Sequence, residues 1–513
     1  MAGGLLRAPH AKSLTHTHTH THNTHSHSTP TFPPPRAAQP PLYFLAPELA
    51  ASTLQYRYLA LPVMRQLAVQ FGFGAFGGAM SAWTAAYRGH PFGCCDASGG
   101  YEDCLEHHVS GDIAVAAWQY WAATGDEAWL AGVGWPLLQG LADYHLARVS
   151  PALPANASAP LPPGAAFHIT GVLPVDEWSV GAGCGAEGPG VTDDAQMNGV
   201  ARGSLLLAAA AARLLGVAAP RAALWEAVGA SLVLLMNASG HHNQFTSPTC
   251  PGGWGGRHYD TAHTVCPEDV LLLTYPLGAI LNVSADVSRA DAELFVPLTC
   301  LENAGMTTPM HTIVWLQLGE QLLAAREFNR SLHAACYGPF NVRNEVDKHA
   351  DMPGGHFDNT HFVSRPCACA CARRLFPLRA APGSPLLSPP PPLFPPPSAR
   401  AAQLTGDGGY LQALINGYGG LRVEGAGLRL LAPALPGSVG ELTLRAVRWR
   451  GCALTLRVTA GQQTLQLLPG GARATLCLAD ARGAVQALQA GGQPLALDRA
   501  SFAYPGLLTT GGC

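Results

Sequence analysis

Residues 167–198 read FHITGVLPVDEWSVGAGCGAEGPGVTDDAQMN, and what flanks them decides the fold. A β-branched run leads through a proline to the acidic pair Asp176-Glu177. Glycines then loosen the chain until a second pair, Asp193-Asp194, opens an Ala/Leu-rich helix. Helical patterns stand on both sides: Asp126–Arg148 before the stretch, Asp194–Leu215 and Ala222–Met236 after it. One short strand-and-loop excursion between paired helices does not make a βαβ sheet. Helices in pairs, with long loops at one end, predict a mainly α protein built as an α/α toroid. A carboxylate at a strand-to-loop exit, beside Trp178, is placed to have its pKa raised by apolar desolvation, which keeps a general acid protonated near neutrality. The commoner reading of Asp176 and Glu177 is plain solvation, because charges in loops are usually exposed.

Composition narrows the class. Of 513 residues, 48% are hydrophobic and 12% charged, enough for a large core and too apolar for global disorder. A net charge of −3 with no basic stripe argues against a nucleic-acid partner. The Ala/Leu-rich stretch Leu205–Leu215 is too short for a membrane span and carries Arg213. The opening residues MAGGLLRAPHAKS hold no hydrophobic signal core, so the expectation leans to the cytoplasm. The 14 cysteines are scattered without zinc-ribbon spacing. Oligomeric state is not legible.

Along the chain, residues 1–40 are a His/Pro-rich tract of low complexity that builds no core. The alternating His16, His18, His20 and His22 read as disorder rather than a metal site, since nothing there fixes a coordination geometry. Helical spacing begins with Pro47–Val69 (Leu54, Tyr58, Leu61, Met64), despite Pro62. A Gly-rich turn and Trp83 follow, then a helix over Ser110–Thr124 in which Asp112 reads as an N-cap. Later helices are expected at Pro309–Ala325, Arg326–Ala335 and Gly409–Ile415. The resulting units are a helical barrel over 41–362, a Pro-rich insert over 363–403, the end of the barrel over 404–419 and a C-terminal unit over 420–513. This last unit alternates as LRVEGAGLRLL, ELTLRAVRW, ALTLRVTA and QTLQLL between Gly/Pro turns, the signature of a small antiparallel β-sandwich.

Eight pieces in order carry a resemblance: PPLYFLAPELAASTLQYRY, GAMSAWTAAYRG, EHHVSGDIAVAAWQYWAATGD, GVLPVDEW with DDAQMN, EDVLLLTYPL, GMTTPMHTIVWLQL, NEVDKHADMPGG and LTGDGGYLQALINGYGGL. Together they resemble glycoside hydrolase family 65, on its branch of protein-glucosylgalactosylhydroxylysine glucosidases and acid-trehalase-like proteins. The likeness runs from Pro41 to about Phe362 and resumes at Leu404. It implies an (α/α)6 barrel that cleaves or phosphorolyses α-linked glucosides. Glu177 then matches the general acid and Glu345 the general base that activates water. An inverting hydrolase needs two such carboxyl groups, roughly 6.5–9.5 Å apart across the sugar. Glu345 read alone is a surface charge beside Asp347 and Lys348. The resemblance also implies that Glu106 and His108 hydrogen-bond sugar hydroxyls, that Trp83 stacks on the sugar or pocket wall, and that Asp176, Asp194 and Asn198 belong to the substrate side. No metal or organic cofactor is implied, and the partner expected is a glucoside substrate.

The departures are equally specific. The family's F-W-D-x-E segment precedes the piece that starts PPLYFL. Here the His/Pro tract stands in its place, implying that its sugar-gripping Asp and an N-terminal β-sandwich are missing. A Lys-Gln pair is replaced by Cys266-Pro267, and Trp83 is followed by Thr84 where many members have Glu. Segment 363–403 opens with Val-Ser and ends at Gln403 after a proline tract, as a translated intron would; removing it joins NTHF to LTGDGG. The N-terminal tract closes similarly on Ala37-Ala38-Gln39. Two rivals to hydrolysis follow. One is a phosphorylase, with Thr307, Thr308 and His311 as phosphate contacts. The other is a catalytically inactive carbohydrate-binding fragment.

Overall fold

The computed structural model describes residues 39–83, 85, 89, 105–175, 190–246, 270–299, 304–333, 336–337, 342–343, 404–479 except 426, 432 and 438, 485–497, and 506–509. It is mainly helical, with paired antiparallel strands at its C-terminal end, as an (α/α)6 barrel followed by a β domain requires.

Helix α1 (Gln39–Leu45) leads into α2 (Pro47–Gln70), where Pro47 sits at the first helical positions and costs no hydrogen bond. α2 buries Ala50, Leu54, Leu61, Met64 and Leu67, the spacing read from the sequence, and carries Pro62 within it. Gln39 is only 2% exposed, so regular packed structure starts inside the tract that the sequence assigns to disorder. Helix α3 (His108–Thr124) is buried along nearly its whole length, as an inner barrel helix must be, and Gly125 at φ 67° closes it with its N–H on Trp121 O. After Asp126, whose carboxylate caps Trp129 N–H, the expected Asp126–Arg148 helix is interrupted by a π-turn, Leu130–Gly134, before α4 (Trp135–Arg148).

Helix α5 (Ala195–Leu215) packs on α3, α4 and α6 (Ala219–Ser231). The α3–α5 approach turns on Gly111. A Cβ there would lie 2.5 Å from Val200 Cβ, so no larger residue fits without moving a helix. Helix α6 ends at Ser231, short of the expected Met236; Met236 instead pairs with His242 in an isolated bridge.

Helix α7 (Ala285–Leu298), capped by Ser284 Oγ on Val287 N–H, has no counterpart in the sequence reading. The next pair divides at Gly319 (φ 81°), giving α8 (Ala304–Gln317) and α9 (Gln321–His333) rather than a break after Ala325. A left-handed glycine ends a helix more decisively than the apolar periodicity that runs past it. Helix α10 (Leu404–Gln412) starts five residues before Gly409 and passes into a π-turn, Ala413–Tyr418.

Two short hairpins lie among the helices: β1 (Thr170–Val172) with β2 (Val191–Thr192), and β3 (Cys336–Tyr337) with β4 (Val342–Arg343). The C-terminal strands are β5 (Leu421–Glu424), β6 (Gly427–Leu430), β7 (Glu441–Trp449), β8 (Cys452–Thr459), β9 (Gln463–Leu467), β10 (Thr475–Ala479), β11 (Val485–Gln489), β12 (Leu495–Leu497) and β13 (Gly506–Thr509). They form two all-antiparallel sheets, β11-β10-β13-β6-β5 and β12-β9-β8-β7. Alternate residues of β8, Leu454, Leu456 and Val458, are buried, as a two-layer sandwich demands.

The sandwich is fastened to α3. The β7–β8 turn offers Arg450 N–H to Ala123 O (2.7 Å) and Arg450 Nε to Ala122 O (3.0 Å), while Trp118 Nε1 donates to Gly425 O (3.2 Å). A guanidinium at a helix C-terminus meets both the orphan carbonyls and the negative end of the dipole. Among the described residues, no helix is long and apolar enough to cross a membrane.

Candidate active site

The N-terminus of α3 is the chemical centre of the described residues. Glu106 and His108 are each 1% exposed, as is Asp112. His108 Nε2 lies 3.1 Å from Glu106 Oε2, and its Nδ1 lies 2.9 Å from Asp112 Oδ2, one helical turn on. The imidazole thus bridges the two carboxyl groups, one at each ring nitrogen. His108 therefore holds Glu106 in place, with Asp112 behind it. Asp112 is not the N-cap expected from the sequence. The helix begins at His108, and Asp112 lies inside it as the partner of that histidine. The i,i+4 spacing that brings two side chains together on one helix face produces this contact.

Beside it, Arg148 at the end of α4 donates from Nε to His107 Nδ1 (2.9 Å) and from Nη2 to the carbonyls of Thr170 and Gly171, the latter at 3.1 Å. Its guanidinium stands over the Phe73 ring at 4.7 Å, and burial holds its pKa below the usual arginine value. One side chain thus locks α4, the residue before α3, and strand β1. Leu173 N–H donates to Leu105 O (3.0 Å), which seats the exit of β1 against the residue preceding Glu106.

Strand β2 returns into Asp193, whose φ of 55° is left-handed. Asp193 is held by Asn198 Nδ2 on Oδ1 (3.0 Å), by His168 Nδ1 2.6 Å from Oδ2, and by its own N–H on Ile169 O (2.8 Å). Asp194 caps α5 through Met197 N–H (2.7 Å), and Asn198 also donates to Val233 O (2.8 Å). Ala195 N–H reaches Gln244 O (2.6 Å), tying in the 236–246 loop, which His242 in turn anchors to Asp291 (Nδ1–Oδ2, 2.8 Å).

Of the residues expected at the site, Glu106 and His108 are in contact, while Asp194 and Asn198 sit at the start of α5, bound to Met197, Asp193 and Val233. Trp83 is 5% exposed and belongs to the main core. It is carried into position by Ser81, whose N–H donates to Ser110 Oγ (3.0 Å) and whose Oγ accepts from Arg57 Nη1 (3.0 Å). Burial lowers the Arg57 pKa to about 10. Asp176, Glu177 and Glu345, together with Cys266, Pro267 and the histidines of the N-terminal tract, lie outside the described residues. Arg148, His107 and the His242–Asp291 pair were not singled out in the sequence, and Asp193 was noted only as half of the acidic pair that opens α5. His107 adjoins the singled-out His108. Among the described residues no cluster of His, Cys, Asp and Glu is set to hold a metal ion.

With this geometry in view, comparison with known proteins gives its class. Residues 38–233 match the central catalytic domain of glycosyl hydrolase family 65 and residues 421–483 its C-terminal domain. The chain belongs to glycosyl hydrolase family 65. It is similar to kojibiose hydrolase of Flavobacterium johnsoniae, 26% identical over 80% of this chain and 47% of that protein. It is also similar to protein-glucosylgalactosylhydroxylysine glucosidase of Dictyostelium discoideum, 25% identical over 83% of this chain and 48% of that protein. The chain thus spans about half the length of the curated relatives it matches. In fold it matches a solved human-microbiome protein assigned as a kojibiose phosphorylase, at a TM-score of 0.60 and 13% identity, over 91% of this chain and 59% of that one.

Proposed function

We propose that this chain carries an inverting α-glucosidase activity on an α-1,2- or α,α-1,1-linked glucosyl unit, of the kojibiose, glucosylgalactosyl-hydroxylysine or trehalose type. Glu177 serves as general acid on the leaving oxygen and Glu345 as general base on water. Trp83, Glu106, His108, Asp176, Asp194 and Asn198 serve the substrate side. The observation that carries this reading is the Leu173–Leu105 hydrogen bond. It brings the buried Glu106–His108–Asp112 chain beside the strand exit from which Glu177 follows four residues later. The kojibiose hydrolase and the glucosylgalactosylhydroxylysine glucosidases among the relatives support the substrate class.

In this scheme Glu106 accepts from a glucose hydroxyl while His108, 3.1 Å from its Oε2, fixes its rotamer. The proton for the leaving group comes from Glu177. Protonation and water activation complete the reaction without a cofactor.

Phosphorolysis fits less well. His311 on α8 is fully buried with its Nδ1 3.7 Å from Glu327 Oε2, so it already faces a carboxyl group of the protein. That carboxyl is kept below its usual pKa, against the opposing effect of burial, by His311, Arg330 and Arg326. The test is kojibiose and trehalose offered to the full chain with and without phosphate. Phosphate-independent release of glucose is expected, lost in Glu177→Gln while glucose binding survives. Turnover only with phosphate, or near-normal turnover by Glu177→Gln, overturns the assignment. Glucose binding without any turnover would favour the inactive carbohydrate-binding alternative.

A further inference from the structure

A small cavity at the joint between the helical barrel and the sandwich holds positive charge that the protein leaves unbalanced. Arg422, on β5, is 6% exposed, and its guanidinium lies over the Tyr275 ring at 4.4 Å. Its Nε and Nη1 have no hydrogen-bond partner. The nearby carboxylate on the same strand, Glu424, is drawn to the neighbouring strand, with Oε2 2.6 Å from Arg429 Nε. Two guanidinium groups therefore share one carboxylate. A desolvated cation with unused donors is costly unless a counter-charge or ordered water meets it.

The cavity that Arg422 lines has a volume of about 50 Å³ and is shared by Gln119 of α3, Thr274, Tyr275, Asn416 and Glu424. One water needs about 10–15 Å³ of such space, so the cavity has room for one chloride ion with a water, or one formate. Several polar groups around it are already committed. Asn416 Nδ2 donates to Leu421 O (2.7 Å), Thr274 Oγ1 to Ser288 Oγ (2.8 Å) and Tyr275 OH to Gln412 Oε1 (2.6 Å). Two donors of Arg422 remain.

We propose that this cavity is a binding site for a small monovalent anion, chloride or a formate-sized carboxylate, held by Arg422 at the seam between β5 and the barrel. The bound anion takes the free N–H donors, completes the charge balance of the Arg422–Glu424–Arg429 group and ties the sandwich to Tyr275. Nothing in this depends on the catalytic assignment.

The experiment titrates sodium chloride against sodium gluconate, too large for the cavity, at fixed ionic strength on the full chain. A saturating rise in Tm of roughly 1–3 °C is expected, from the mass-action stabilisation of a bound ligand in a protein of this size. Arg422→Met should abolish the rise. Formate in chloride-free buffer identifies the second source if it reproduces the shift. Crystals of the unaltered protein grown in bromide should show anomalous density in the cavity, which decides the matter even if the variant fails to fold. A Tm indifferent to chloride and formate, a rise that persists in Arg422→Met, or a cavity holding only water in bromide overturns the proposal.

Discussion

Replacing His145 by leucine should make the protein less sensitive to acid. His145 sits on α4, one turn before Arg148, and is fully buried. Neither ring nitrogen makes a well-formed hydrogen bond, and the Leu141 carbonyl one turn back offers only a weak one. Burial pushes its pKa down from 6.5 to about 3; the Leu141 carbonyl one turn back opposes the shift and the Arg148 cation adds to it. Between these two values the unfolded chain binds a proton that the native state refuses. The contribution of His145 is therefore fully present above pH 6.5 and is lost as pH falls towards about 3. At about pH 5 the loss amounts to about 2 kcal/mol, since one pKa unit is worth about 1.4 kcal/mol. Leucine fills similar space, does not titrate and removes an unsatisfied polar ring, which relieves about 1–3 kcal/mol at any pH. Urea unfolding followed by tryptophan fluorescence, at about pH 7.5 and about pH 5, measures both effects. The variant should be at least as stable as the parent near neutrality, with a lead that widens by about 2 kcal/mol in acid. An equal acid loss in both proteins, or an NMR titration of His145 near its ordinary value, refutes the reasoning.

Two further outcomes test the framework that holds the site. Gly111→Ala puts a methyl group into Val200 at the α3–α5 crossing and should cost about 1–3 kcal/mol of stability by overpacking, read as a lowered urea midpoint with an unchanged slope. A midpoint like that of the parent would mean the two helices separate freely. Arg450→Ala removes the guanidinium from the end of α3 and should cost about 1 kcal/mol, with faster hydrogen exchange at the seam to β7 and β8. Unchanged exchange there would mean that the sandwich is held by apolar packing alone.

What the sequence disclosed, and what it hid, follows from range. The spacing of Leu54, Leu61 and Met64 gave α2, and Asp194 gave the start of α5, because periodicity and capping are local. The two hairpins β5–β6 and β7–β8 were visible as alternation between glycine turns. Helix α7 was hidden because Asp286, Arg289, Asp291 and Glu293 leave only a narrow apolar stripe. Asp112 looked like a cap because it follows Ser110-Gly111, and only its contact with His108 corrects this. Arg148 on His107 and His242 on Asp291 join residues far apart in the chain, and no local pattern announces such pairs.

In the proposed reaction one carboxyl group protonates the glycosidic oxygen while another drives water onto the opposite face of the sugar. The anomeric form of glucose at first turnover tests it directly, followed by proton NMR on kojibiose without phosphate, before mutarotation scrambles the product. Inversion should release β-glucose in excess over the anomeric ratio already present at the reducing end of kojibiose; an initial excess of α-glucose over that ratio rules inversion out.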